Sequence, residues 1–558
     1  MRRSKCKHII FLFFLLLTVA NNIVSQTANT AAPQKMVFLE HSKTLSFDQK
    51  RLPDAQILKG DVRFRHDSAL MFCDSAYFYE KSNSVTAFGH VRFEQGDTLH
   101  GYGDRLYYDG NTRLARLCQN VKLIHKTTTL TTDSLNYDRQ QDKAYYFTGG
   151  VIRDSVNSLE SVWGEYNPPT SLAVFKYKVH LQNPSFTLDA DTLKYNTQTH
   201  IAFLVCPTEI VYNDETMIHS TDGWYNTELQ QSMLLQRSVI QHTDGKFLIG
   251  DTIFYDRFKG RGQLFSHIEV RDTVQHLSLY GNYGEMWDRE KRGFVTDSAL
   301  VEDWSKPEHT YAHADSLCFE ELPCLDSTCH DTVFQQLRAF RNVRGWSLDY
   351  QLVCDSLTYN SRDSLIQLHQ NPICWSQDQQ ISADTITLYF RDGAMDYAHG
   401  VGNAIGIKQE KDNHYNQLTG KEMFAYIRDN EIKQVDVIGN AETVFFPLDD
   451  DKDIIGVNKT QSSKVQIFLK DRQIDHILFT TATTGTMYPL DQIAKKETFL
   501  PMFFWAEQER PTSVDDLFLT PQRTTRPKTT VLSASDDDDE KDKKTTDKQK
   551  TKRNKKRK

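Results

Sequence analysis

A repeat of about thirty residues constrains this chain more than any other feature. Two columns carry it. The first is an apolar position that follows Gly, Asn or a short polar pair: Val62, Val91, Val121, Val151, Val179, Ile210, Val239 and Ile268, at steps of 28 to 31 residues. The second is an aromatic position, mostly four residues after an Asp: Phe78, Tyr108, Tyr137, Tyr166, Tyr195, Tyr225 and Tyr255, at steps of 29 or 30. A period of this size marks an array in which each unit buries its apolar face on its neighbours. It excludes most globular enzyme folds.

Each repeat has two strand-like parts. In the first, Val62 and Phe64 alternate with Arg63 and Arg65, and Val91 and Phe93 alternate with Arg92 and Glu94. Such alternation puts the apolar pair on one face and the charges on the other. The second part is Asp-Ser/Thr followed by an apolar residue and an aromatic, as in Asp133–Tyr137, Asp191–Tyr195 and Asp251–Tyr255. The Asp or Asn after the aromatic opens a polar turn. No segment carries a 3.6-residue stripe, so the chain is expected to be all-β. The pattern loosens after about residue 285, and the step of 40 from Phe319 to Tyr359 marks an insertion at Glu320 to Asp331. The expected organisation is one array over 36–290, a second and degenerate one over 291–490, and an extended segment over 491–535.

The ends read differently. Arg2, Arg3, Lys5 and Lys7 precede the apolar run Ile9 to Ala20, which is short for a membrane span. Residues 1–25 are expected to be a signal peptide, with an uncleaved anchor as the alternative. Residues 536–558 are an acidic run followed by a Lys-rich one, expected to be a disordered tail. The whole chain carries −8, of which the signal and the tail contribute +4 each, leaving −16 on the body. An acidic body argues against nucleic-acid binding. Export permits disulfides, but spacing does not pair Cys73, Cys118, Cys206, Cys318, Cys324, Cys329, Cys354 and Cys374. A zinc site using His330 matches no ligand spacing.

The Asp column does not have the nine-residue, Gly-rich period of calcium-binding rolls. Its expected role is to cap turns or bond local backbone amides. The aromatic column is expected to be a core ladder of rings stacked on consecutive strands, with carbohydrate stacking as the alternative. No nucleophile elbow, zinc-protease motif, phosphate loop or Cys-x-x-Cys is present. The expectation is a protein that is not an enzyme, with no catalytic residues, metal or cofactor.

The units Gly60–Phe64, Gly89–Phe93 and Gly150–Ile152, alternating with Asp-Ser/Thr-x-x-x-Tyr-Asp/Asn, resemble the OstA-like (LptA) domains of lipopolysaccharide transport. Val437–Ala441 and Gly485–Pro489 are similar to the later part of such domains. The resemblance covers about 36–490. It implies an elongated, open β-jelly roll of antiparallel strands that binds acyl chains inside and conducts them across the periplasm. It also implies lipopolysaccharide and other envelope transport components as partners, joined by edge-strand pairing, with homo-oligomers as a further form.

On that reading Val62, Phe64, Val91, Phe93, Val121, Leu123, Val151, Val179 and Leu181 are the expected lining of the lipid groove. With one strand per repeat in each of two sheets, eight repeats extend about 40 Å at ~4.8 Å per strand. A structural β-solenoid of the envelope and a carbohydrate-active β-helix are the alternatives. The first predicts a closed, side-chain-filled core, the second a cluster of Asp, Lys or Arg on one outer face. Lipopolysaccharide is anionic and the body is acidic, so binding must use the lipid part, divalent ions or local basic spots such as Arg63, Arg65 and Arg92.

Overall fold

The computed structural model describes residues 36–324 and 333–519, apart from positions 392, 430, 450, 452 and 472. The expected signal peptide, the charged tail, most of the insertion, Cys329 and His330 lie outside the described residues. Among the described residues the chain forms 36 strands and five short 3-10 turns. The all-β expectation holds. The chain divides into two compact units, 1–341 and 342–558. Residue 290 is not a break. Leu277–Trp287, Arg292–Asp303 and Thr310–Pro323 continue the antiparallel ladder of the strands before them.

In the first unit each repeat is a pair of long strands. Leu52–His66, Ala69–Tyr79, Ser84–Gln95 and Leu99–Asp109 run 11 to 15 residues. Each crosses both walls of the unit, and every second one, such as Leu52–His66 and Ser84–Gln95, bends in mid-strand. The bend is a two-residue left-handed corner: Gly60 and Asp61, Gly89 and His90, Gln119 and Asn120, and Tyr177 and Lys178 have φ between +41° and +81°. The ladder shifts register at these points. This is bulge geometry, which turns a strand sharply and re-aims its side chains.

The Asp column latches the corner. Asp74 lies 2.7 Å from His90 Nδ1, Asp104 accepts from Asn120 Nδ2 at 2.6 Å, and Asp251 lies 2.6 Å from His267 Nδ1. These bonds reach a corner side chain on the next long strand rather than local backbone amides. A left-handed residue other than Gly costs roughly 1–2 kcal/mol, and each carboxylate helps hold one in place. Gly89 is needed for a second reason: a Cβ there would lie 2.4 Å from Asp74 Oδ2. The acid or amide after each aromatic does cap a turn. Asp109 accepts the amides of Asn111 and Thr112, and Asn196 those of Gln198 and Thr199.

The second unit uses the same corner at Gly402 and Asn403 and at Gly439 and Asn440. Its sheet differs on the face that alternates with Gly406 and Leu418. Gln351, Trp375, Gln380, Ile407, Gln417 and Val444 follow one another across the ladder, and all are buried. They are covered by the chain's own segment 490–519, which crosses the strands without joining the sheet. Gln417 donates to Thr498 O at 2.9 Å and accepts from Leu500 N at 2.8 Å. Gln380 donates to Phe504 O and accepts from Ala506 N, both at 2.8 Å. Arg510 donates to Gln351 Oε1 at 2.8 Å, and Arg344 to Asp516 O at 3.3 Å. Phe504 and Ala506 complete an apolar cluster with Val353, Ile373, Trp375, Ile405 and Ile407.

Cys324 is disulfide-bonded, while Cys73, Cys118, Cys206, Cys318, Cys354 and Cys374 form no disulfide.

Three outcomes test this account. Gly89→Ala is expected to cost roughly 2–3 kcal/mol in thermal unfolding, and Gly96→Ala about 1 kcal/mol. Both are left-handed, but only the first meets a carboxylate. Asp74 raises the pKa of His90 above its ordinary value through a hydrogen bond and charge attraction. The His90 contact is therefore fully charged below about pH 6.5 and fades as pH rises through the raised value. An NMR titration should show that midpoint fall in Asp74→Asn. Gln380→Leu strips a buried C=O and a buried N–H of their partners, at roughly 1–3 kcal/mol each. Limited proteolysis should then cleave within 490–519 faster than in the parent, while the sheet stays protected.

Candidate functional site

Residues directly opposite in an antiparallel ladder share a face, so the register traces rows that run across the strands. One row on the first unit's inner face is Phe64, Met71, Phe93, Gly101, Leu123, Leu130, Ile152, Leu159, Leu181, Leu188, Ile210, Ile218, Ile240, Leu248, Val270, Leu279, Val301 and Ala312. Every member is apolar or Gly. The row makes seventeen steps between strands, about 80 Å at ~4.8 Å each. That is twice the expected 40 Å, because each repeat supplies two strands to both walls instead of one to each. The other wall carries a matching row, with Phe175, Leu193, Leu204, Leu234, Ile253, Leu264, Val295 and Leu317 spaced by glycines such as Gly223 and Gly284.

Eight of the nine expected lining residues lie on this inner face. Val62, Val91, Val121 and Val179 directly follow a corner, and Phe64, Phe93, Leu123 and Leu181 sit two residues further on. Val151 does not join them. The corner at Gly149 puts Gly150 in the place of Val121, and Ile152 in the place of Leu123. Val151 therefore faces outward, between Thr131 and Glu160. Val239 slips in the same way, and buried Ser238 takes its place. Ile210 stays inside but belongs to the Phe64 row.

The inner face is not uniform. From Phe64 to Phe93 it is filled: Val62, Phe64, Val91 and Phe93 are at most 2% exposed. From Ile210 onward the same row is only partly buried, including Ile218, Ile240, Leu248, Val270, Leu279 and Val301. The apolar column in the sequence marks where side chains point, but not whether the opposite wall fills the space above them. The apolar column therefore does not distinguish the accessible stretch from Ile210 from the filled one before it.

The aromatic column closes the side away from the corner. Its members share a row but do not stack on one another. Between successive rings the intervening strand inserts a small residue: Ala115 between Tyr108 and Tyr137, Ala144 before Tyr166, Ala173 before Tyr195 and Ala202 before Tyr225. The rings reach across to the opposite wall instead. Tyr108 meets His66 at 5.6 Å between centroids, Tyr137 meets Phe93 at 5.9 Å, Tyr166 meets His125 at 5.8 Å and Tyr225 meets Phe186 at 5.6 Å. Hydroxyls are partnered at this seam: Tyr108 accepts from Arg139 Nη1 at 3.0 Å, and its oxygen lies 2.6 Å from His66 Nδ1. Burial pushes the Tyr137 hydroxyl up to about 12, so the seam carries no phenolate at neutral pH.

Two sheet edges are free among the described residues. Phe38–His41 and Thr44–Asp48 pair with Leu52–His66 and with no further strand. In the second unit, Gln473–Thr480 and Thr484–Tyr488 pair with Val457–Lys470 and with no further strand. No helix among the described residues is long and apolar enough to cross a membrane.

The chain matches none of the curated proteins compared with it. A family model does match. Residues 34–191, from just before the free edge strand through the filled part of the first unit, match the model described as OstA-like protein, which supports the assignment of this part of the chain to the OstA-like family.

Proposed function

We propose that the protein carries lipopolysaccharide by its acyl chains in the periplasm, along the inner apolar row of the first unit, without catalysing a reaction. The observation behind this reading is the unbroken aliphatic row that becomes partly exposed from Ile210 to Val301. An acyl chain laid along it gains about 0.8 kcal/mol per buried methylene. The row repeats the same chemistry at every strand, so a chain can advance without meeting a polar barrier. The OstA-like match supports a place in envelope lipid transport for this chain. Coupling to other envelope components, or to a second copy, would use the two free edges by strand addition.

The filled core between Phe64 and Phe93 favours a second reading, in which the array is a structural element of the envelope. The two differ at one residue pair. A photo-crosslinking side chain at Ile240 should capture lipopolysaccharide, whereas the same group at outward Val239 should not. Capture at Phe93 but not at Ile240 would move the groove to the closed half and require its seam to open. No capture at any of the three positions in a well-folded protein would leave the structural reading.

A further inference from the structure

The outer face of the first wall has a charge pattern that the groove does not use. Its row begins Arg63, Phe72, Arg92, Tyr102, Lys122 across consecutive long strands. Cations therefore recur every second strand, about 10 Å apart at ~4.8 Å per strand, with a ring between each pair. Arg92 and Arg63 lie over Phe72, with guanidinium carbons 4.2 and 5.2 Å from the ring centroid. Arg63, Arg92, Tyr102 and Lys122 are exposed. Among the described residues neither Arg63 nor Lys122 has a carboxylate partner, while Arg92 is paired with Glu94 at 3.1 Å. The parallel row next to it runs Phe38, Arg65, Leu70, Glu94, His100 and Ile124, in which Phe38 is 59% exposed, Leu70 and Ile124 are half-buried, and Arg65 is paired with Glu40 at 2.7 Å.

The pattern is local. The same row continues through Thr131 and Val151 to Glu160, His180, Asp189 and Glu209. The basic stretch thus belongs to one end of a body that carries −16. An acidic body with one basic, ring-bearing face is electrostatically oriented towards a negative surface.

We propose that this face, centred on Arg63, Arg92 and Lys122, docks the protein on an anionic lipid surface. A flat sheet face presenting cations and rings together fits a headgroup layer. There the phosphates meet the cations, and aromatic and aliphatic side chains enter the interface. A soluble acidic partner would satisfy the cations but leave Phe38, Tyr102 and Leu70 against water. The docking is independent of the groove, since vesicle binding at this face and crosslinking at Ile240 can fail separately.

The test is flotation of the full mature protein with vesicles of phosphatidylcholine alone or of phosphatidylcholine and phosphatidylglycerol. The parent should float with the anionic vesicles only, and less so as salt is raised. Arg63→Gln, Arg92→Gln and Lys122→Gln together should lower the partition coefficient roughly a hundredfold, at about fivefold per basic side chain. Glu160→Gln with Glu209→Gln should not lower it. Circular dichroism checks the fold, and Lys122→Gln alone, expected to lose about fivefold, serves if the triple variant does not fold. Equal flotation of parent and variant would overturn the proposal. So would binding of soluble dextran sulfate without any binding to vesicles.

Discussion

Everything in the first unit depends on the left-handed corner in the middle of its long strands. A straight strand belongs to one sheet. A strand bent at Gly89 and His90 belongs to both walls, so one register holds the two walls together along the whole unit. The bend requires backbone angles that most residues disfavour. It persists because it recurs with a partner: the carboxylates of Asp74, Asp104 and Asp251 each meet a corner side chain of the next long strand. The continuous apolar rows follow from that. Once the corners align, the residues three positions beyond them align too, and Phe64, Phe93, Leu123 and Leu181 fall into one line.

This explains what could be read from the sequence and what could not. The thirty-residue period is the length of two long strands with their turns, one of them bent at the corner, and it was visible because both corner and aromatic recur with it. Its two strands were legible as one for each sheet, but that both of them cross both walls was not. The intervening strand contributes small residues, such as Ala115, Ala144 and Ala173, that leave no mark in a hydrophobic pattern. Val151 was misplaced because a corner is recognised by backbone angle and not by residue type. At Gly149 and Gly150 two glycines fit the corner in more than one frame, and the apolar residue after them fell on the wrong face. The glutamine contacts of the second unit were hidden for a different reason. Gln380 and Gln417 recognise backbone amides of residues 498–506, and backbone recognition carries no sequence pattern.

The two halves of the inner row differ by what stands opposite them. Near the start, Phe64 packs on Phe78 with centroids 5.5 Å apart, and Phe93 packs on Tyr137. Rings from both walls fill the gap, and nothing is left for a ligand. Past Ile210 the row is Ile, Leu and Val, whose side chains are shorter than a ring and leave apolar surface partly exposed. Such exposure along a soluble protein is costly unless something covers it. In the second unit, the apolar face around Trp375 and Ile407 is covered by the chain's own segment. In the first, the exposed row from Ile210 has no such cover among the described residues, which makes it the part of the molecule with most to gain from an apolar ligand.

Charge is segregated across the walls of the same unit. Here the apolar row lies inside the walls and the cations at Arg63, Arg92 and Lys122 lie on the outer face, joined only by alternation along the same strands. Phe64 and Phe93 point in for the reason that Arg63 and Arg92 point out. The period-2 geometry of the strand therefore couples a neutral interior to a charged exterior. A one-residue slip of register would exchange the two faces, and none occurs at Val151, where Leu130, Ile152 and Leu159 stay in line. The corner restarts that alternation at the same point of each repeat, with Val62, Val91, Val121 and Val179 as its first inward residues.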